Sequence, residues 1–263
     1  MLHVIQNTSS FFDFLIKDKD NDISQKIENE ITNKLKSIAE KYTEEKNINV
    51  QYILEHGKVY NKILEIAKRF NVKFIVIGKN TKTSNNRFIG SNTLTVIRQS
   101  SIPVLTIPYP DERILKNPDF KNAINRGYKN ILLPLDLTKE TTQKVNTAIE
   151  IAKQHNANIN IISVKTNDID NITQTKLLLQ LDRVQQFISK QNIPCSTNLI
   201  TKNDDESIAQ TITDYAIKNK MDIIIIMTQQ EKNWTKLFIG STAQEIINIS
   251  QIPVLSIIPK EEE

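Results

Sequence analysis

The chain has 263 residues, of which 39% are apolar, and this length allows two domains of ordinary size with a core in each. A formal net charge of +4 and an aromatic content of 6% argue against a nucleic-acid reader, which typically has a basic stripe with aromatic platforms. Because no apolar run spans a bilayer, no secretion signal stands at the start and Cys195 has no second cysteine, we expect a cytoplasmic protein without membrane contact.

In the first half of the chain, apolar segments of strand length alternate with segments of helical periodicity. Strands are predicted at residues 1–7, 50–55 and 74–78, and helices at residues 23–46 and 59–70. Residues 108–127 contain three prolines and many charges, which is typical of a linker with a short helix.

The second half shows the same alternation more fully. Strands are predicted at residues 131–136, 159–164, 196–201, 222–227 and 254–258, and helices at residues 140–155, 177–191, 207–219 and 242–250. This α/β alternation predicts right-handed crossovers and a parallel sheet with helices on both faces. We therefore divide the chain into a first domain at residues 1–110, a linker at residues 111–126 and a second domain at residues 127–263.

A sequence repeat connects the two halves. Residues 88–107, FIGSNTLTVIRQSSIPVLTI, return as residues 238–257, FIGSTAQEIINISQIPVLSI, with eleven identical residues and no gap. Self-similarity at a fixed spacing indicates a duplicated structural unit. Gly90 and Gly240 hold the same place in the two copies of a chain with only five glycines. We expect each to meet a backbone need, either a positive φ or the close approach of a ligand.

The order of these features resembles the universal stress protein family in a tandem arrangement. They are a strand ending in Asp136, an apolar strand before a loop, Gly-Ser opening a helix, and a final Ile-Pro-Val-Leu strand. The resemblance implies two flavodoxin-like, adenine nucleotide alpha hydrolase-like domains, each with a parallel five-stranded sheet and flanking helices. It also implies that the final strands of the two domains pair within the chain as a pseudo-dimer. Pro103 and Pro253 suit the starts of those strands. A homo-oligomer and an unidentified protein partner stay open.

The first domain departs from the family pattern at its start. Residues 1–7 match the second strand of the family, so residues 131–155, the first strand and helix of the second domain, have no counterpart. In the implied fold that strand lies in the middle of the sheet, and its loss would leave buried backbone groups unpaired. We expect a replacement strand, a reorganisation around the gap, or a chain that begins inside a longer reading frame.

Members of the family that bind ATP share a Gly-x2-Gly-x9-Gly-Ser/Thr loop and an acidic residue at the end of the first strand. Glycines let backbone N–H groups approach phosphates, the following helix N-terminus attracts anions, and the acid can hydrogen-bond the nucleoside. The resemblance assigns the acid of the second domain to Asp136. It assigns the end of the loop to Gly240, Ser241 and Thr242.

Both domains depart from that loop. In the second domain the two earlier glycines fall on Met227 and Gln230, whose side chains are long. In the first domain, counting back from Gly90 reaches Ile77 and Asn80, with Gly78 one residue out of register. The candidate residues of the first domain are Gly78, Gly90 and Ser91. Because neither domain holds a complete site, we expect no cofactor, with ATP or AMP as the alternative.

The candidate residues also have ordinary structural explanations. Ser91 and Ser241 can be helix N-caps, Asp136 can cap a buried strand, and the glycines can make a tight turn. The three histidines show no metal-ligand spacing, so we expect no metal and no catalytic residue. We further expect Trp234 to pack over the Gly240 turn.

Two functions from different classes follow from these residues. The first is a non-enzymatic stress-response scaffold whose ligand sites have degenerated and which acts through protein contacts. The second is an ATP- or AMP-binding regulatory module with at most slow hydrolysis, whose site lies in the second domain. An unrelated ligand in the crevice outside the strand ends is a third, weaker alternative.

Overall fold

The computed structural model describes residues 1–6, 21–79, 89–108, 127–137, 141–228 and 239–259. These residues form nine strands and seven helices. In chain order they are β1 (Leu2–Ile5), α1 (Asn21–Lys46), β2 (Ile53–His56), α2 (Val59–Arg69), β3 (Ile75–Gly78), α3 (Ser91–Gln99), β4 (Val104–Ile107), β5 (Asn130–Pro134), α4 (Thr141–His155), β6 (Asn158–Lys165), α5 (Asn171–Ser189), β7 (Cys195–Thr201), α6 (Ile208–Lys218), β8 (Ile223–Met227), α7 (Ser241–Ile249) and β9 (Val254–Ile257). The chain divides into two compact units, Met1–Asn71 and Val72–Glu263.

The first unit contains a small parallel sheet and two helices. Strands β1 and β2 pair in parallel, with Leu2 opposite Ile53. Helix α1 buries Leu35 and Ala39, which lie on one face because residues four apart share a helical face. The two helices therefore each give the unit an apolar stripe, that of α2 being formed by Ile66 and Ala67.

The second unit is built on a seven-stranded sheet in the order β3-β4-β9-β8-β5-β6-β7. Its strands from the second half of the chain, β7-β6-β5-β8-β9, are all parallel to their neighbours. The central strands are continuous apolar runs because helices cover both faces of a parallel sheet. Strand β8, for example, is buried along its whole length. The second copy thus has the five-stranded parallel sheet that the sequence predicted.

Strands β4 and β9 join the two copies of the repeat. They pair antiparallel, with Leu105 opposite Leu255 and Thr106 opposite Val254. Since Leu105 and Leu255 are equivalent residues of the repeat, a local twofold axis passes through this pair. The Thr106 hydroxyl strengthens the pairing by donating a hydrogen bond to the Val254 carbonyl at 3.1 Å. The structure therefore confirms the predicted pairing of the final strands within one chain.

The first copy does not form a single five-stranded sheet from its described residues. Strands β1 and β2 make their own sheet, and β3 is the end strand of the seven-stranded sheet. Among the described residues no strand lies beside β3 as β5 lies beside β8. The replacement strand considered above is therefore not found in the described ranges.

The predicted linker and the predicted absence of a membrane span are considered last. The linker at residues 111–126, with its short helix, lies outside the described residues, so the predicted domain boundaries stay a prediction. None of the described helices is both long and apolar enough to cross a membrane.

Candidate functional site

The candidate site of the second copy lies where β5 and β8 end side by side. Asp136 follows β5 by two residues, and Thr228 follows β8 directly. The strands are parallel and adjacent, so both residues lie at the carboxyl ends of neighbouring strands. The strand ends of β5 and β8 also form a topological switch point, because β6 lies on one side of β5 and β8 lies on the other. Crevices of this kind are where open α/β sheets bind ligands.

Asp136 is partly buried, and its surroundings are fixed by hydrogen bonds. The carbonyl oxygen of Asp136 accepts a hydrogen bond from the Gln180 side chain of α5 at 2.7 Å. One residue earlier, the buried Ser163 hydroxyl of β6 donates to the Leu135 carbonyl at 2.9 Å. These bonds hold the backbone of the segment after β5 in place at the carboxyl end of the strand.

Gly240 connects the end of β8 to helix α7. Its N–H donates to the Thr228 carbonyl at 2.9 Å, and its own carbonyl accepts from the Gln244 N–H at 2.9 Å. Gly240 is the N-cap of α7, with φ −56°, and within the described ranges no side chain makes a capping hydrogen bond there. Gly90 caps α3 in the same way, with φ −63°. Of the two backbone needs considered for these glycines, a positive φ is therefore wrong, and the close approach of a ligand stays a prediction.

The serines after these glycines are not N-caps, contrary to the structural alternative considered from the sequence. Ser91 and Ser241 are the first residues of α3 and α7, and both are exposed. Thr242 follows, partly buried, in the first turn of α7. The glycine before each serine already has the extended conformation of an N-cap, so the serine begins the helix instead. The role of these residues in binding stays a prediction.

Met227 occupies the end of β8 and points into the core. It is 6% exposed and belongs to the apolar core cluster that also contains Ile225 and Ile257. The chain stays extended past it, because Met227 pairs with Ile257 and the Thr228 N–H donates to the Ile257 carbonyl at 3.0 Å. At the same edge, the Gln143 side chain of α4 donates to the Ile258 carbonyl at 3.0 Å.

Hydrogen bonds correct the register that counting assigned to the first copy. The Gly90 N–H donates to the Lys79 carbonyl at 3.1 Å, as the Gly240 N–H does to Thr228. Lys79 is therefore the equivalent of Thr228, and Gly78 rather than Ile77 is the equivalent of Met227. The connection to α3 is one residue shorter than the connection to α7, which is why counting back from Gly90 misplaces the strand.

Gly78 thus stands at the place that Met227 fills in the second copy. It is the last residue of β3 and is exposed, and its carbonyl accepts from the Thr93 hydroxyl of α3 at 3.1 Å. Among the described residues nothing lies within 4 Å of where a Cβ would be. The structure brings Gly78, Gly90 and Ser91 to the end of one strand, but no described residue supplies an acid equivalent to Asp136.

Lys79 is a residue that sequence reasoning missed. It is 4% exposed, and its ammonium group donates to the Ser250 carbonyl, at the end of α7, at 3.0 Å. Burial lowers the Lys79 pKa from 10.5 to about 8. Lys79 and Ser250 belong to different copies, so this contact crosses the local twofold axis. No local sequence signal could identify it, because the two residues are far apart in the chain.

Three further residues considered in the sequence analysis cannot be placed. Gln230, Asn80 and Trp234 lie outside the described residues. Within the described ranges no group of three or more histidine, cysteine, aspartate or glutamate residues could hold a metal ion. Cys195 is half-buried at the start of β7, where burial raises its thiol pKa to about 11.

Comparisons with known proteins support one family. The sequence model of the universal stress protein family matches residues 1–108 and 127–257. Universal stress protein A of Salmonella typhi is 29% identical over 146 residues, covering 52% of this chain and 99% of that protein.

Solved structures show the same fold. A universal stress protein from Archaeoglobus fulgidus DSM 4304 matches with a TM-score of 0.73 and 17% identity, covering 100% of this chain and 86% of that one. A putative universal stress protein from Pseudomonas aeruginosa UCBPP-PA14 matches with a TM-score of 0.61 and 14% identity, covering 98% and 82%. At such identities these likenesses concern the fold alone.

Proposed function

This chain belongs to the universal stress protein family, and we propose that it is a non-enzymatic stress-response scaffold that acts through protein contacts rather than through a bound nucleotide. The observation that carries this proposal is the buried methionine at the end of β8. Met227 stands where the family's nucleotide binders have a glycine, and its side chain is anchored in the core.

A glycine at this position would let the chain turn and bring backbone N–H groups against a phosphate. The first copy does not turn at its glycine, because Gly78 pairs with Ile107 and the Lys79 N–H donates to the Ile107 carbonyl at 2.7 Å, so the second copy differs by the Met227 side chain rather than by its backbone. In the second copy Met227 pairs with Ile257, and the Thr228 N–H donates to the Ile257 carbonyl at 3.0 Å. The backbone N–H of Thr228 is therefore used within the sheet. An anion at the end of β8 could not bind to that N–H.

The first copy lacks other parts of a nucleotide site. The first copy has a glycine, Gly78, at the position of Met227. However, β3 has no described neighbour on the side where β5 flanks β8. The Lys79 ammonium, a group that often binds phosphate, is buried and bonded to the Ser250 carbonyl. The two copies thus depart from a nucleotide site in different ways, which supports a role that does not depend on nucleotide.

The second candidate function is an ATP- or AMP-binding regulatory module with at most slow hydrolysis. One observation favours it. Among the described residues no side chain caps the N-terminus of α7, which begins with the exposed Ser241, and Asp136 lies at the end of the strand adjacent to β8. The helix dipole and the uncapped N–H groups of α7 would attract an anion there. The fitting ligand would be a nucleotide with its phosphates on α7.

Calorimetric titration of the full chain with AMP, and with ATP and magnesium, tests the proposal. We expect no saturable heat at high protein concentration. Saturable heat that disappears in Asp136→Asn, while the control Asp182→Asn at an exposed position of α5 retains it, would establish the second candidate and overturn the first. Asp182 is a suitable control because it is an exposed carboxylate whose described contact is with Gln186 of the same helix.

A further inference from the structure

Strand β3 and the residue just before it expose apolar side chains whose counterparts in the second copy are buried. By the hydrogen-bond register given above, Phe74 and Val76 correspond to Ile223 and Ile225 of β8. Phe74 is 45% exposed and Val76 is 64% exposed, whereas Ile223 and Ile225 are 1% and 0% exposed. Two equivalent positions of one repeat therefore differ in what covers them.

In the second copy the covering element is β5 followed by α4. Strand β5 pairs in parallel with β8, with Ile131 opposite Ile223 and Leu132 opposite Ile224. Helix α4 contributes apolar residues to the core cluster that contains Ile223 and Ile225. These are Val145, Ala148, Ile149, Ile151 and Ala152. The segment formed by β5 and α4 thus pairs with the backbone of β8 and buries the face of β8 that contains Ile223 and Ile225.

The β3 edge has no such segment among the described residues. β3 is the end strand of its sheet, paired with β4 alone. An edge strand presents unpaired backbone N–H and C=O groups, and proteins usually protect such edges with charged residues or proline. The four residues of β3, Ile-Val-Ile-Gly, include neither.

We propose that the β3 edge is a docking site for a strand–helix segment of another protein. The segment would have an apolar strand that pairs in parallel with β3, followed by an amphipathic helix that covers Phe74 and Val76. This inference rests on the proposed scaffold function and names the surface and the class of partner for it. The chemistry of the partner is argued from β5 and α4, which occupy the equivalent place within this chain.

A partner protein fits this edge better than a second copy of the chain. The described segment of matching chemistry is β5 with α4, and it is already used in the sheet of the second copy. Ile131, Leu132 and Leu133 of β5 are each 0% exposed. A second copy could donate this strand only by losing its own core, at a cost of roughly 1.5–3 kcal/mol for each buried apolar side chain.

The test uses a fluorescent synthetic peptide with the sequence of residues 127–157, titrated with the full chain and followed by anisotropy. We expect saturable binding with one peptide per chain, and no binding of a peptide with the same residues scrambled. Val76→Lys should weaken binding about tenfold or more, because it removes apolar burial and places a charge in the interface. Ile172→Lys, at a 70% exposed position on α5, should leave binding unchanged.

Absence of saturable peptide binding, or equal binding by Val76→Lys and the unchanged chain, would overturn the proposal. Concentration-dependent dimers that Val76→Lys abolishes would also overturn it, because the occupant would then be a second copy. Circular dichroism checks that Val76→Lys folds, and Phe74→Lys provides an independent variant of the same surface. Nucleotide titration fails or succeeds separately, so the scaffold proposal and the docking proposal can be rejected independently.

Discussion

At the scale of single residues, Gly127 has the most restricted environment among the described glycines. Its φ is +71°, and a Cβ there would lie 2.8 Å from Nδ1 of His155. We predict that Gly127→Ala lowers the free energy of unfolding by about 1–3 kcal/mol, through backbone strain and displacement of the imidazole. Urea unfolding measures this change.

Gly78→Ala is the matched control for that prediction. Gly78 has no positive φ, and no described atom lies within 4 Å of the place of its Cβ. The substitution should leave stability within about 0.5 kcal/mol. Equal losses in the two variants would mean that the conformation of Gly127 is not what makes glycine necessary there.

Lys79 predicts a pH dependence of stability. Burial lowers its pKa to about 8 in the folded protein, against 10.5 for an ordinary lysine, so the unfolded chain binds the proton more tightly between these values. Stability attributable to Lys79 should therefore rise as the pH increases from about 8 to 10.5 and stay low below that range. Lys79→Met should remove this rise.

Urea unfolding of the unchanged chain and of Lys79→Met, at pH 7.5 and 9.5, measures the effect. The difference in stability between the two proteins should shift in favour of the unchanged chain at the higher pH. Parallel pH profiles would show that Lys79 does not have a lowered pKa.

The roles of single residues could be predicted from the sequence only where a local signal marks them. The repeat correctly identified Gly90 and Gly240 as the starts of equivalent helices, because a helix-opening Gly-Ser pair is a local signal. It did not reveal that Ser100 and Ser250 are buried helix C-caps, each bonded to the isoleucine two residues on. Lys79 could not be found at all, because its environment is set by the other copy.

At the scale of elements, strand β5 is held at its start by one carboxylate. Asp222, which precedes β8, accepts hydrogen bonds from the N–H groups of Lys129 and Asn130 at 2.9 and 2.8 Å. We predict that Asp222→Ala lowers the free energy of unfolding by about 2–4 kcal/mol, because two partly buried donors lose a charged acceptor. Asp222→Asn keeps an acceptor and should cost less.

Tyr128 gives a second readout of the same contact. Burial raises the Tyr128 pKa, and the charge of Asp222 raises it further. The Tyr128 pKa should fall toward its ordinary value in Asp222→Asn, which ultraviolet titration of the phenol can follow. Unchanged stability in Asp222→Ala would contradict the account of how β5 is anchored.

The limits of helices and strands were predicted unevenly, and α5 shows why. The sequence predicted a helix from residue 177, but α5 begins at Asn171 because Asp170 caps it, accepting from the Thr173 N–H at 2.8 Å. The apolar period that located the helix is weak in this polar first turn. The apolar strands of the second copy were located to within one or two residues, since a fully buried strand is a continuous apolar run.

At the scale of the whole molecule, the duplication predicted the architecture better than it predicted the site. The repeat and the family resemblance predicted the parallel sheet of the second copy and the pairing of β4 with β9. The candidate site was harder to derive, because it depends on backbone register at the ends of β3 and β8. There a connection one residue shorter moves Gly78 into the place of Met227.

The central claim is that this tandem member of the family works without a bound nucleotide. The most direct measurement is the nucleotide content of the protein purified from its own source, determined by mass spectrometry of the supernatant after denaturation. We predict no stoichiometric adenine nucleotide, because the Met227 side chain is anchored in the core at the end of β8 and β3 has no described strand on the side where β5 flanks β8. One adenine nucleotide per chain would contradict the account.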